Sequence, residues 1–302
     1  MHLSSGTITY DIKLKTTHAR NIPPLRKKLC ERNDWDASVF NDIDWAAHGL
    51  AQKRLKQHKK TLVQYVNDWL PVGKRVHKYD PKYPECCPSC TAQVEDTPHL
   101  ITCPSTSRGT WRKECMSNIK KVLDEHDTAL PIKSLLLEGL YAALNNRPAE
   151  TIAVEPAVAA LAAQQAAIGW NQILKGRMSK LWASLQDRHL GSRATARTNG
   201  LMWSTKIIEA ILMEWLKMWK LRNEDRHGRD MESRRLAETN QTIRELEQFY
   251  TAHDGKVTAR LQWLFTEPIE IRREHNISVI IQWLNTWKPI VETSYNTALT
   301  TG

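Results

Sequence analysis

Cys87, Cys90, His99 and Cys103 stand as C-x2-C-x8-H-x3-C, and no other feature limits the possible folds of this chain so sharply. Two thiolates at CxxC spacing leave one tight turn and point at a common centre. A histidine and a cysteine with three residues between them approach from one helical turn or a short loop. The set fills the tetrahedral positions that Zn²⁺ prefers and leaves none for a substrate water, so the expected metal is structural rather than catalytic. Pro88 suits the knuckle, while Pro84, Pro98 and Pro104 punctuate a segment without helical or strand periodicity. Such a segment has no core of its own, and metal binding would supply its folding energy. Cys86 is an alternative to Cys87 at a spacing that fits less well. Reduced cysteines beside a solvent-facing histidine are the competing reading.

Six cysteines, four of them within residues 86–103, match a reducing compartment rather than a disulfide scaffold, with Cys30 and Cys115 buried or inert. A hydrophobic share of 41% with 25% charged residues describes a globular chain. Its 43 Lys and Arg against 33 Asp and Glu leave a formal charge of +10, which suits a polyanionic partner. The opening Met1 to Gly6 lacks the apolar core of a secretory leader. The longest apolar tract, Ile152 to Ile168, is interrupted by Glu155, Pro156, Gln164 and Gln165. It falls short of the roughly 20 apolar residues of a membrane span. The expectation is an intracellular protein, cytoplasmic or nuclear, without membrane contact.

The expected fold is mainly α, with a short N-terminal β element and a small zinc-stapled segment. Ile8, Tyr10, Ile12 and Leu14 alternate with Thr7, Thr9, Asp11 and Lys13, the period of a half-buried strand. A lone strand would have to pack on the helices that follow, unless the chain is a piece of something longer. Helical spacing runs from about Asp36 to Asp68, Arg108 to Glu125, Pro131 to Asn145, Pro156 to Lys175 and Met178 to Leu190. It resumes over Asn199 to His227, Asp230 to His253 and Ile277 to Val291. Asn145-Asn146-Arg147-Pro148 separates two differently composed halves. This predicts a zinc-binding, basic helical domain with the N-terminal strand over 1–147 and a Trp-rich helical domain over 148–302.

The run Ile43-Asp44-Trp45, Asp68-Trp69-Leu70-Pro71-Val72-Gly73-Lys74-Arg75 and Tyr79-Asp80-Pro81 leads into the Cys/His cluster. Glu95-Asp96, His99-Leu100, Cys103-Pro104 and Trp111-Arg112 continue it. This resembles the region downstream of the polymerase in non-LTR retrotransposon reverse transcriptases, which carries a zinc-binding CxxC…HxxxC segment. Gly169-Trp170, Lys175-Gly176-Arg177, Trp219-Lys220-Leu221-Arg222-Asn223 and His227-Gly228 resemble the helical tail of such proteins, of a divergent diatom and algal type. The resemblance covers most of the chain. It implies a zinc-binding, nucleic-acid-engaging tail whose polymerase and RNase H domains lie upstream and are candidate partners. No Tyr-x-Asp-Asp signature and no RNase H-like spread of acids occurs here, so the expectation is a non-catalytic protein.

Lys53, Arg54, Lys56, Lys59, Lys60, Lys74, Arg75 and Lys78 face a single acid, Asp68, between residues 53 and 78. With Arg112 and Lys113 they are the candidate contacts to RNA or DNA phosphates. His58, Tyr65, Trp69, His77 and Tyr79 are interleaved and could stack on unpaired bases, although Tyr65 and Trp69, four apart, read as core. A solvated basic face on a zinc-stapled scaffold or protein-interaction module is the alternative. Asp34, Asp36, Asp42 and Asp44 invite a metal-dependent nuclease reading but fit helix capping better. Trp170, Trp182, Trp203, Trp215 and Trp219 read as core, Arg222, Asn223 and His227 as a polar end to a buried helix, and Asp230 to His253 as a solvated face.

Overall fold

The computed structural model of the chain describes residues 2–3, 6–7, 12–91, 93–149, 155–228 and 231–301. It is mainly helical. The N-terminal strand is the first correction. Ile12, Lys13 and Leu14 open helix α1 (Ile12–Asn33), while Ile8 to Asp11 lie outside the described residues. His2–Leu3 and Gly6–Thr7 make only a two-residue antiparallel rung, too short for the expected half-buried strand. Pro23 and Pro24 lie inside α1, and prolines read as a break, which hid this helix from the periodicity.

The helical pattern from Asp36 to Asp68 is cut into α2 (Ala37–Asp42), α3 (Trp45–Arg54) and α4 (Lys59–Val66), with a 3₁₀ turn at Lys56–His58. Capping sets the cuts. Asp36 Oδ1 accepts the N–H groups of Ser38 and Val39 at 2.7 and 2.9 Å, and Asp44 Oδ1 accepts that of Ala47 at 2.9 Å. α4 ends in a Schellman turn. Asp68 sits at φ +56°, its N–H bonds the Tyr65 carbonyl at 3.0 Å, and the Trp69 N–H reaches back to Gln64 at 2.7 Å. A non-glycine residue tolerates that conformation poorly. Here its side chain holds it: Lys175 Nζ donates to both Asp68 oxygens, at 2.7 and 2.8 Å.

The first unit continues with α5 (Gly73–His77), α6 (Thr97–Thr102), α7 (Thr106–Glu125) and α8 (Leu130–Asn145). After these come α9 (Pro156–Ile168), α10 (Trp170–Ile173), α11 (Lys180–Leu190) and α12 (Gly200–His227), the last belonging to this unit as far as Arg222. Pro131 and Pro156 lie in the first turns of α8 and α9, where a missing N–H costs nothing. Gly169, at φ +102°, splits the helix expected from Pro156 to Lys175 into α9 and α10.

The chain divides into two compact units, Met1–Arg222 and Asn223–Gly302. The boundary expected after Arg147 instead falls inside the first. Asn146 ends α8 in the left-handed region at φ +51°, so the polar turn is real. Yet Leu136 and Leu140 before it share one core with Leu161, Ile173 and Trp182 after it. A turn signal marks a change of chain direction and says nothing about shared burial. In that core Tyr65 stacks on Trp215 with centroids 3.7 Å apart, and Trp215 on Trp219 at 5.9 Å, each pair within 13° of parallel.

The second unit holds α13 (Met231–His253), a 3₁₀ segment Ala259–Phe265, α14 (Ile269–Arg272) and α15 (Ile277–Thr301). α13 is not a wholly solvated face: Leu246, Phe249 and Tyr250 bury against Leu264, Phe265, Ile280 and Leu284. The Arg272 guanidinium lies 4.1 Å over the Trp283 ring in the same cluster. Among the described residues, no helix is long and apolar enough to cross a membrane.

His48 adds a pH dependence to the first unit. It is buried, with Nδ1 3.0 Å from the Gly176 carbonyl and Nε2 2.7 Å from Gln52 Nε2, so Nδ1–H donates and Nε2 accepts. Burial is the main reason its pKa falls from 6.5 to about 4, against the Gly176 hydrogen bond and with the Arg177 charge adding to the fall. The unfolded chain therefore takes up the proton first, and stability is lost as pH falls from 6.5 towards 4. The loss should reach about 3 kcal/mol. Denaturant unfolding across that range should show His48→Gln with a flatter dependence than the parent chain.

Candidate metal centre

Residues 84–91 and 93–105 form a knuckle followed by one helical turn. Cys86 and Val94 form an antiparallel bridge. The Cys87 N–H bonds the Gln93 carbonyl at 2.8 Å, and the Glu95 N–H bonds Glu85 at 2.9 Å. The bend closes with the Thr91 N–H on the Cys87 carbonyl at 2.9 Å. Thr91 itself adopts φ +58°, an uncommon conformation for a β-branched residue and one that clusters at functional sites. The helical turn is α6, started by Asp96, whose Oδ1 accepts the His99 N–H at 2.9 Å. His99 and Cys103 lie one turn apart along it, and the Cys103 N–H bonds the His99 carbonyl at 2.8 Å.

These two pieces bring Cys87, Cys90, His99 and Cys103 together, their ligand atoms all within 4.8 Å of one another. Cys87 Sγ lies 3.8 Å from Cys103 Sγ, and Cys90 Sγ lies 3.4 Å from His99 Nε2. A disulfide would need sulfurs about 2.05 Å apart, so this is not a bridge. The group could hold a metal ion. Cys86 lies outside it and is exposed. Burial pushes the Cys87 thiol up to about 11, opposed by the backbone N–H groups of Cys90 and Ser89 and reinforced by Cys103. Burial also lowers the pKa of His99, against the charges of Asp96 and Glu95. The imidazole is thus held in its ligating, neutral form, and the buried Cys87 thiol would give up its proton only to a cation placed among these ligands.

The sequence gives no role at this centre to the residues around it. Glu95 is fully buried, and its carboxylate accepts three hydrogen bonds. They come from Gly73 N–H at 2.6 Å, Arg222 Nε at 2.7 Å and Arg222 Nη2 at 2.5 Å. Burial disfavours the Arg222 charge, but the bonds and charge of Glu95 outweigh it and its pKa is raised. Arg108, almost fully buried on α7, donates to Ser89 Oγ inside the CxxC knuckle at 2.9 Å. Ser105 Oγ lies 3.5 Å from Cys103 Sγ. Arg222 did leave a trace in the sequence: it follows Trp215, Met218 and Trp219 at the steps of a buried helix face.

The basic residues fall into two groups. Lys53, Arg54, Lys56, Lys59, Lys60, Lys74, Arg75, Lys78 and Lys113 are exposed. Among them Arg54 pairs with Glu209 at 3.2 Å. Arg112, on α7, faces the metal segment instead, donating through Nη1 to the carbonyls of Ile101 at 2.7 Å and Cys103 at 3.1 Å. The aromatics also separate. Tyr65 is wholly buried, its hydroxyl donating to the Leu174 carbonyl at 3.2 Å, but Trp69, expected beside it in the core, is 40% exposed. Of the four aspartates weighed as a nuclease set, Asp36 and Asp44 serve as caps. No family model, curated protein or solved structure matches this chain.

Removing one partner of a buried, saturated ion pair strands the other charge. Arg222→Ala should therefore cost about 3–5 kcal/mol, whereas the double change Glu95→Gln with Arg222→Met should cost less than that single change. Urea denaturation of both variants in metal-replete buffer checks the order.

Proposed function

We propose that the Met1–Arg222 unit binds RNA or DNA through phosphates, on a basic surface held in shape by a structural Zn²⁺. Cys87, Cys90, His99 and Cys103 would hold the ion. A tetrahedron with Zn–S bonds of about 2.3 Å has S···S edges of about 3.8 Å, and with a Zn–N bond of about 2.0 Å its S···N edges are about 3.5 Å. The sulfur pair at 3.8 Å and the sulfur–nitrogen pair at 3.4 Å fit those edges. Three thiolates and one imidazole favour zinc over oxygen-seeking ions and leave no position for a substrate.

The observation that carries the nucleic-acid reading is the one-signed, exposed charge of the chain between residues 53 and 78. All eight of its basic side chains are exposed, and its single acid, Asp68, is drawn into ion pairs with Lys175 and Arg32. Glu209 compensates Arg54 at 3.2 Å, and the seven remaining cations offer a polyanion positive charge. Lys113 is exposed as well and would add its charge, while Arg112 contributes by bracing the metal segment. On this reading the chain is a non-catalytic, retrotransposon-derived tail acting inside the cell. Polymerase and RNase H domains of the parent element would be its partners, a kinship that rests on the motifs quoted above.

Purified protein should carry one zinc per chain, and Cys90→Ser should lose it, as measured by metal analysis. Affinity for RNA and DNA should fall steeply as salt rises. Replacing Lys59 and Lys60 by Gln should reduce the slope of log affinity against log salt by about 2. Zinc retained without salt-dependent binding would leave a stapled scaffold in place of a nucleic-acid-binding protein.

A further inference from the structure

We propose that the concavity between Trp69 and Tyr79 takes an unpaired nucleobase, so that the basic surface prefers single-stranded to double-stranded nucleic acid. This rests on the nucleic-acid reading above and adds the form of the ligand. The site begins with the backbone. The left-handed Asp68 ends α4 and separates Trp69 from the buried face on which Tyr65 lies. α5 then closes with the Tyr79 N–H on the Val76 carbonyl at 2.9 Å, and Tyr79 is left 73% exposed. Two large aromatic side chains thus stand at the ends of successive helices, in a unit that buries Trp111, Trp182, Trp203 and Trp215.

Both rings line one open concavity of about 470 Å³, together with Gln64, Pro71, Arg75 and Asp80. That volume lies within the range of small-molecule sites, roughly 300–1,000 Å³, and it accommodates a base. Cations flank the rings. Lys28 Nζ is 4.8 Å from the Trp69 centroid, Lys78 Nζ is 5.9 Å from the Tyr79 centroid, and Arg75 is in the lining itself. The one acid present, Asp80, accepts the Lys82 N–H at 3.2 Å. An aromatic slot with a positive margin matches a ligand that alternates flat π faces with phosphates. A duplex presents the phosphates but keeps its base faces stacked, so it would use the lysines and leave the rings idle. An acidic peptide would do the same.

The test compares a labelled oligothymidylate with a duplex of equal length by fluorescence anisotropy. Trp69→Ala with Tyr79→Ala should weaken single-strand binding by about 10-fold or more. Duplex affinity and the single-strand salt slope should stay unchanged. Trp69→Phe with Tyr79→Phe should restore most of the single-strand affinity. Zinc content and unfolding midpoint, measured on each variant, establish that the fold is intact. Single-strand binding indifferent to the alanine pair, or an equal fall for both ligands, overturns the proposal while leaving phosphate binding in place. A parent chain that binds neither ligand sinks both readings together.

Discussion

The carboxylate of Glu95 is the point at which this structure is tied together. It follows the metal knuckle directly, accepts the N–H of Gly73 that opens α5, and takes two hydrogen bonds from Arg222 on α12. The knuckle, the short basic helix and the Tyr65–Trp215–Trp219 stack therefore share one buried anion. Such a pair is not a large source of stability, because removing two charges from water offsets most of their attraction. What it supplies is placement: with three donors spent on one carboxylate, few other arrangements of these elements satisfy the same groups. A metal ion held by Cys87, Cys90, His99 and Cys103 would shape the segment locally, and Glu95 fixes where that segment sits in the core.

Gly73 shows how tight this placement is. A side chain there would collide with the backbone carbonyl of Glu85, on the opposite strand of the knuckle from Glu95. α5 is thus backed against the metal segment on two sides, and Lys74 and Arg75 project from a helix that has little freedom to tilt. The Lys74 N–H on the Glu95 carbonyl at 3.0 Å adds to the same constraint. A short helix without its own cap is ordinarily marginal. Here it borrows rigidity from the segment it touches, which links the order of the basic surface to that of the metal site.

Much of this was legible in the sequence, and the exceptions have physical causes. The four-ligand cluster could be read because metal ligation demands particular side chains at particular spacings, within a local stretch. The tryptophan stripe of α12 was visible for a similar reason, since helical burial repeats every three to four residues. Pro23 and Pro24 outweigh the rest of the α1 pattern and hide that helix, and Ile12 and Leu14 read as strand because a few alternating residues fit either period. Trp69 was assigned to the core from its four-residue offset to Tyr65. That rule assumes an unbroken helix, and the left-handed Asp68 breaks it. The expected division at Arg147 failed because burial shared across a turn leaves no mark on the turn itself, and the partner of Arg222 was hidden by sheer separation in sequence.

That separation has a consequence for how the protein comes into being. The metal ligands lie within one short stretch and can assemble as soon as that stretch leaves the ribosome. Glu95, however, waits for Arg222, and in the interval it is a carboxylate without its counter-ion beside apolar residues that lack their α12 partners. A ribosome adding about 5–20 residues per second needs many seconds to close that gap. Nascent chains of this protein therefore pass through a window in which the four-ligand knuckle can close while its seat is still missing.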